Sequence, residues 1–341
     1  MDLSGLSLWA VAGIFAMAAA AIMLAGVRLA HVADALADRT GMGEVVAGAL
    51  FVGAATSLPG AITSISTAAQ GASGLAVGNA LGGLTAQTAF IAVADLFYRR
   101  ANLEHAAASV TGLAQGVLLV VLLSIPLIAS AEPQITIWGV HPASLLIPVG
   151  YAFGLRLLSR IHDDPMWHPV QTDETREEVS EPDREGGRSD SGLWLRFALY
   201  AGVTAVAGWV IGEASLALVG LTGMGESAVG TVFAGVANSL PELVTAIAAV
   251  RIGAVSLAVG DVIGGNAFEV MFLSAADFFD EGSIYGALTP ADRTTALIAM
   301  LMTGVLLLGM LRREKTGPVR IGFESVLVLG LYAGSVALVL L

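Results

Sequence analysis

The stretch "TGMGEVVAGALFVGAATSLPGAITSISTAAQGASGLAVGNALGGLTAQTAF", Thr40–Phe90, returns 182 residues later as "TGMGESAVGTVFAGVANSLPELVTAIAAVRIGAVSLAVGDVIGGNAFEVMF", Thr222–Phe272. The two align without a gap and agree at 23 of 51 positions, and beyond them Asp95 falls on Asp277. Self-similarity at a fixed offset marks a chain built from repeated units. Helix packing in a membrane favours small residues and would explain the shared glycines. It does not explain two Ser-Leu-Pro triplets, each followed at the same distance by Leu-Ala-Val-Gly.

The chain has 341 residues, 56% hydrophobic and 13% charged, where a soluble domain carries about 25% charged residues. Apolar runs near the ~20 residues that cross a bilayer recur throughout. They predict spans at roughly 8–28, 43–69, 73–98, 105–129, 135–158, 193–221, 226–250, 254–279, 292–311 and 320–340. The ten-residue alternation of a membrane β-barrel is missing. The expected fold is therefore an all-α polytopic membrane protein of ten transmembrane helices. One long hydrophilic connection splits it into a half at 1–158 with its repeat at 40–98, a loop at 159–192, and a half at 193–341 with its repeat at 222–280. Five is odd, so the second half enters the membrane inverted, as in many secondary transporters.

Basic residues set the expected orientation, since cytoplasmic loops are enriched in Lys and Arg. With both termini outside, only Arg293 of the 16 basic residues falls outside, and the central loop is cytoplasmic. The net charge of −12 reflects ten acids between His162 and Asp190, read as a solvated acidic linker. Without cysteine the chain has no disulfide, thiolate metal site or cysteine nucleophile. "MDLSG" has no positive leader region, so the first apolar run is expected to be a retained helix.

The chemistry is expected where helices break. Pro59 and Pro241 interrupt their helices and leave carbonyls near Ala55 and Ala237 without helical donors. Thr56, Ser57, Asn238 and Ser239 add side-chain oxygens there, the shell that hard cations such as Na⁺ and Ca²⁺ prefer. Glu242 is costly in lipid and should face the interior, bound to a cation or a proton. The following segment, "AVGDVIGGNAFEV", brings Asp261, Asn266 and Glu269, against Asn79, Thr85 and Gln87 in the first copy. Glu44 and Glu226 suit the positive ends of their helices. Asp95 and Asp277 lie near span ends, as structural acids or along an ion path.

At these motifs the sequence resembles the cation/Ca²⁺ exchanger superfamily, whose sodium/calcium exchangers carry two inverted repeats on ten helices. The first signature, G-T-S-L-P-E, stands here as Ala55-Thr56-Ser57-Leu58-Pro59-Gly60 and Ala237-Asn238-Ser239-Leu240-Pro241-Glu242. The second stands as Gly78 to Gln87 and Gly260 to Glu269. The resemblance implies that Thr56, Ser57, Gln87, Asn238, Ser239, Glu242, Asp261 and Glu269 form the ion site. It departs at Gly60, where the family carries a glutamate, and at Gly83 and Gly265, where it carries serines. The space at Gly60 must hold water, a neighbouring side chain or a smaller cation charge, and Gly60→Glu is expected to be tolerated.

The implied function is a secondary antiporter exchanging Na⁺/Ca²⁺ or H⁺/Ca²⁺ by alternating access, with small cations as substrates, the bilayer as environment, no cofactor and no nucleic acid. A different cation pair (monovalent or Mg²⁺) and a non-transporting protein that kept the fold are the alternatives. Hydrolase motifs such as H-E-x-x-H and G-x-S-x-G are absent, so no enzyme activity is expected. Oligomeric state is not legible.

Overall fold

Backbone in lipid must bond to itself, so each apolar run becomes a helix. The computed structural model describes residues 1, 3–40, 53–98, 100–131, 134–173, 175, 190–317 and 321–341. Glu44, the start of the expected second span, the connection at Glu132 and most of the acidic loop lie outside them. The helices are α1 (Leu8–Thr40), α2 (Leu58–Ala68), α3 (Ser73–Asp95), α4 (Leu103–Ala106), α5 (Val110–Ala131) and α6 (Pro142–Asp163). The second set is α7 (Asp190–Thr222), α8 (Glu226–Asn238), α9 (Leu240–Ile252), α10 (Val255–Asp277), α11 (Pro290–Arg312) and α12 (Phe323–Leu340).

Seven of these are long and apolar enough to cross a membrane alone, and α8 with α9 makes an eighth crossing bent by 44°. α10 has the length, 23 residues, but carries Asp261, Glu269 and Asp277. α2 is the second limb of the remaining span, preceded by one turn at Ala54–Thr56. These make ten.

The repeat governs the structure more widely than the sequence match. The 182-residue offset carries Leu8–Thr40 onto Asp190–Thr222 and Ser73–Asp95 onto Val255–Asp277. Matched turns follow, with Gly71 (φ 77°) and Gly253 (φ 89°) in the left-handed region that only glycine enters without strain. α1 runs well past the expected residue 28. Its apolar residues keep helical spacing beyond the hydrophobic run, and Leu29, Val32, Ala33 and Leu36 bury against Leu193, Phe197 and Tyr200.

α3 is buried along nearly its whole length because two backbones meet there. A Cβ at Gly82 would lie 2.4 Å from the Cα and carbonyl oxygen of Thr231, in the π-helical stretch Gly230–Ala234 of α8. Gly230 and Gly235 present equally bare backbone to α3.

Each half is closed by an aspartate. Asp277 accepts from His141 N (2.8 Å), Ser144 Oγ (2.7 Å) and Ile284 N (2.9 Å). Asp95 accepts from Gly322 N (3.1 Å), Ser325 Oγ (2.9 Å) and Leu103 N (2.9 Å). Both tie the end of a central helix to the start of the last helix of the opposite half. That structural duty fills their acceptor sites, and neither needs to serve an ion path.

Candidate cation site

Proline supplies no donor and its ring clashes with the preceding turn, so both helices break in the same place. Ser57 (φ −80°, ψ −6°) and Ser239 (φ −95°, ψ 5°) hold nearly the same backbone conformation just before α2 and α9. The N–H of Ser57 donates to the Gly53 carbonyl (3.1 Å), closing the last turn before the break.

The two breaks meet at the centre against α3 and α10. Seven of the eight nominated side chains are buried there: Thr56, Ser57, Gln87, Asn238, Ser239, Glu242 and Glu269. Asp261 is exposed and lies two turns up α10 from Glu269, about 12 Å at 1.5 Å per residue. It stands outside the cluster, and its expected place among the ligands is corrected accordingly.

Hydrogen bonding sorts donors from acceptors. Asn79 Nδ2 donates to the Gly60 carbonyl (2.9 Å) and Ser64 Oγ (2.8 Å). Asn238 Nδ2 donates to Asn79 Oδ1 (2.8 Å) and Thr63 Oγ1 (3.0 Å). Gln87 Nε2 donates to Glu269 Oε1 (2.6 Å) and Ser239 Oγ (3.2 Å). The amide donors are thus consumed within the protein. Ser57 Oγ, Gln87 Oε1, Asn238 Oδ1, Glu269 Oε2 and both oxygens of Glu242 remain buried with no hydrogen-bond partner. Thr56 reaches toward the Glu242 carboxylate, yet no donor meets it in hydrogen-bond geometry. Glu242 and Glu269 are close enough to repel when both are ionised. Buried acceptors without donors are costly, and a dehydrated hard cation satisfies several at once. Among the described residues no three acidic or histidine side chains converge on one point, and the carboxylates at this centre are those of Glu242 and Glu269.

The departures at glycine now have a physical account. A Cβ on Gly83 would lie 2.7 Å from Glu269 Oε2, and one on Gly265 would lie 3.6 Å from Gln87 Oε1. Each long side chain therefore lies over the glycine of the opposite repeat. At Gly60 the neighbour is an aromatic ring: a Cβ there would lie 2.8 Å from Phe272 Cε2. Phe272 stacks edge-on against Phe268, which meets Tyr151 in the same manner. Of the three candidates for that space, a side chain fills it, so Gly60→Glu is tolerated only if the Phe272 ring shifts.

Sequence reading passed over Thr63 and Ser64 as orienting groups and Phe272 as a wedge. The hydroxyls carried a usable signal, since they sit one turn past Pro59 on the face that carries Gly60. Phe272 carried none, because its equivalent Phe90 is also a phenylalanine.

A model of the sodium/calcium exchanger protein family matches residues 10–147 and 191–341. The chain belongs to the sodium/calcium exchanger family. Its fold is also that of solved exchangers. The sodium-calcium exchanger NCX_Mj, soaked with Na⁺ and Sr²⁺, superposes with a TM-score of 0.63 at 15% identity, covering 97% of this chain and 99% of the other. The H⁺/Ca²⁺ exchanger CAX gives 0.65 at 14% identity over 97% and 85%, and native YfkE gives 0.65 at 14% over 96% and 91%. The inner membrane protein YrbG of Escherichia coli (strain K12) is 36% identical over 99 residues, and the match spans only 30% of its length. This exchanger-family chain is accordingly a multi-pass membrane transporter rather than an enzyme.

Proposed function

We propose that the chain is a secondary antiporter that carries one Ca²⁺ at a time, in exchange for Na⁺ or H⁺, at the site framed by Glu242 and Glu269. The observation that carries this reading is the set of buried, unpartnered oxygens on Ser57, Gln87, Asn238, Glu242 and Glu269. Two carboxylates balance one divalent cation or two monovalent ones. Phe272 takes the place of a third carboxylate, so the site has no charge for more. Alternating access follows from the inverted halves, each offering one broken helix to the same ions.

The test is isotope uptake by proteoliposomes holding the purified protein. Ca²⁺ uptake driven by an imposed Na⁺ or H⁺ gradient is expected, at two monovalent ions per Ca²⁺ and therefore insensitive to an imposed membrane potential. Uptake that follows the potential overturns the two-carboxylate count. Failure of both gradients to drive any divalent ion favours a fold without transport.

A further inference from the structure

The two aspartate-closed corners are related by the repeat but differ in charge. An offset of 181 residues carries His141, Ser144 and Ile284 onto Gly322, Ser325 and Leu103, the donors that serve the two aspartates. The same offset carries Tyr285 onto Glu104 and Ala143 onto Glu324. At these positions the corner at Asp277 carries no carboxylate besides its aspartate, and Tyr285 Oη lies 2.8 Å from Ser144 Oγ. The corner at Asp95 has gained two carboxylates in a place the fold did not need them.

Those two are not satisfied. Glu104 is 1% exposed and Glu324 is 0% exposed. Glu104 Oε1 has only a 3.4 Å contact with Ser325 Oγ, whose hydroxyl is already engaged by Asp95 at 2.9 Å. Glu104 Oε2 and both oxygens of Glu324 have no hydrogen-bond partner. They converge: a Cβ on Gly322 would lie 2.4 Å from Glu324 Oε2 and 3.2 Å from Glu104 Oε2. Arg312 lies close enough to Glu324 to favour its charge, but neither nearby arginine bonds the two carboxylates. Arg312 pairs with Glu314 at 3.7 Å, and Arg313 donates to the carbonyls of His105 and Val170 and to Thr175 Oγ1.

We infer that Glu104 and Glu324 form a second cation site, separate from the central one, which takes a hard divalent ion such as Ca²⁺. Two carboxylates offer up to four hard oxygens to such an ion when both bind through two atoms, and backbone carbonyls or water complete its shell. Asp95 stays with its three donors and braces the site. Burial, then the negative charge of Asp95, pushes the Glu104 carboxyl up to about 8, so a cation binding here displaces a proton near neutral pH. The site also touches the central connection. His105, next to Glu104, contacts Thr172 Oγ1 at 3.0 Å through Nε2, so an ion here braces the surface on which Val170, Thr172 and Thr175 dock.

Calorimetry with CaCl₂ on the purified full chain carrying Glu242→Gln and Glu269→Gln, which silences the central site, is the test. One Ca²⁺ per chain is expected, with affinity at least tenfold weaker after Glu104→Gln or Glu324→Gln is added. No Ca²⁺ binding in the silenced protein, or binding indifferent to Glu104 and Glu324, overturns the proposal and leaves these acids as proton carriers only. If the added variants fail to fold, hydrogen exchange on the silenced protein decides. Ca²⁺ should slow amide exchange at Leu103 and at Gly322–Ser325, and unchanged exchange there refutes the site.

Discussion

Glu242 carries five side-chain heavy atoms where its repeat partner Gly60 carries none, and that difference sets what single substitutions do. Glu242→Gln keeps shape and hydrogen-bonding capacity while removing one of two central charges. The variant should elute and melt like the parent in detergent and yet lose Ca²⁺ uptake, and uptake at the parent rate would remove Glu242 from the site. Gly60→Glu should behave differently. Its Cβ meets the Phe272 ring, and overpacking of this kind costs about 1–3 kcal/mol, so a lowered melting temperature is expected. Adding Phe272→Ala makes room for the new carboxylate. The double variant should regain stability and bind Ca²⁺ at least tenfold more tightly by calorimetry, whereas unchanged affinity would place Gly60 outside the ion's reach. Sequence alone revealed the missing charge at Gly60, because the repeat supplied its own reference. It could not reveal the wedge, since contact between Phe272 and Gly60 joins residues 212 apart and follows no local pattern. Asp261 misled for a related reason. Charge in a buried motif suggests a ligand, but only the rotation of α10 decides which of its faces meets the centre.

At the level of elements, the crossing of α3 and α8 holds the two halves together. Gly78 and Gly82 were legible as packing glycines, and the structure gives them their partners in the bare backbone of α8 at Gly230 and Thr231. The π-helical stretch at Gly230–Ala234 was not legible, because the extra residue per turn is imposed by the close approach and leaves no mark in composition. Gly82→Ala tests the crossing, since its methyl would meet backbone atoms of Thr231 that cannot rotate away. It should lower the melting temperature and shift exchange protection along both helices. A melt identical to the parent would mean the helices slide apart at no cost, contrary to close packing. The same substitution at Gly304, which has nothing within 4 Å, is the control and should be neutral.

For the whole molecule, the repeat made the fold legible because it doubles every signal: two breaks, two glycine turns and two aspartate corners confirm one another. Ten helices in two inverted halves were recoverable from that regularity and from the length of the apolar runs. The side on which each end emerges depends instead on the cell's treatment of charge, which no internal contact records. Orientation therefore rests on the basic residues. Placing the 159–192 connection in the cytoplasm keeps 15 of 16 Lys and Arg on that side and leaves only Arg293 across the membrane. Translocating such a cluster is unfavourable, and the opposite arrangement would require it at nearly every connection. The chain has no cysteine, so a single one can report without background. A cysteine replacing Ser180 should resist a membrane-impermeant thiol reagent in intact cells and react once the membrane is opened. A cysteine replacing Ser4 should react in both. Labelling at position 180 from outside would invert the molecule, and would put the Glu104 and Glu324 corner, which lies against Thr172 and Thr175 of the same connection, on the external side with it.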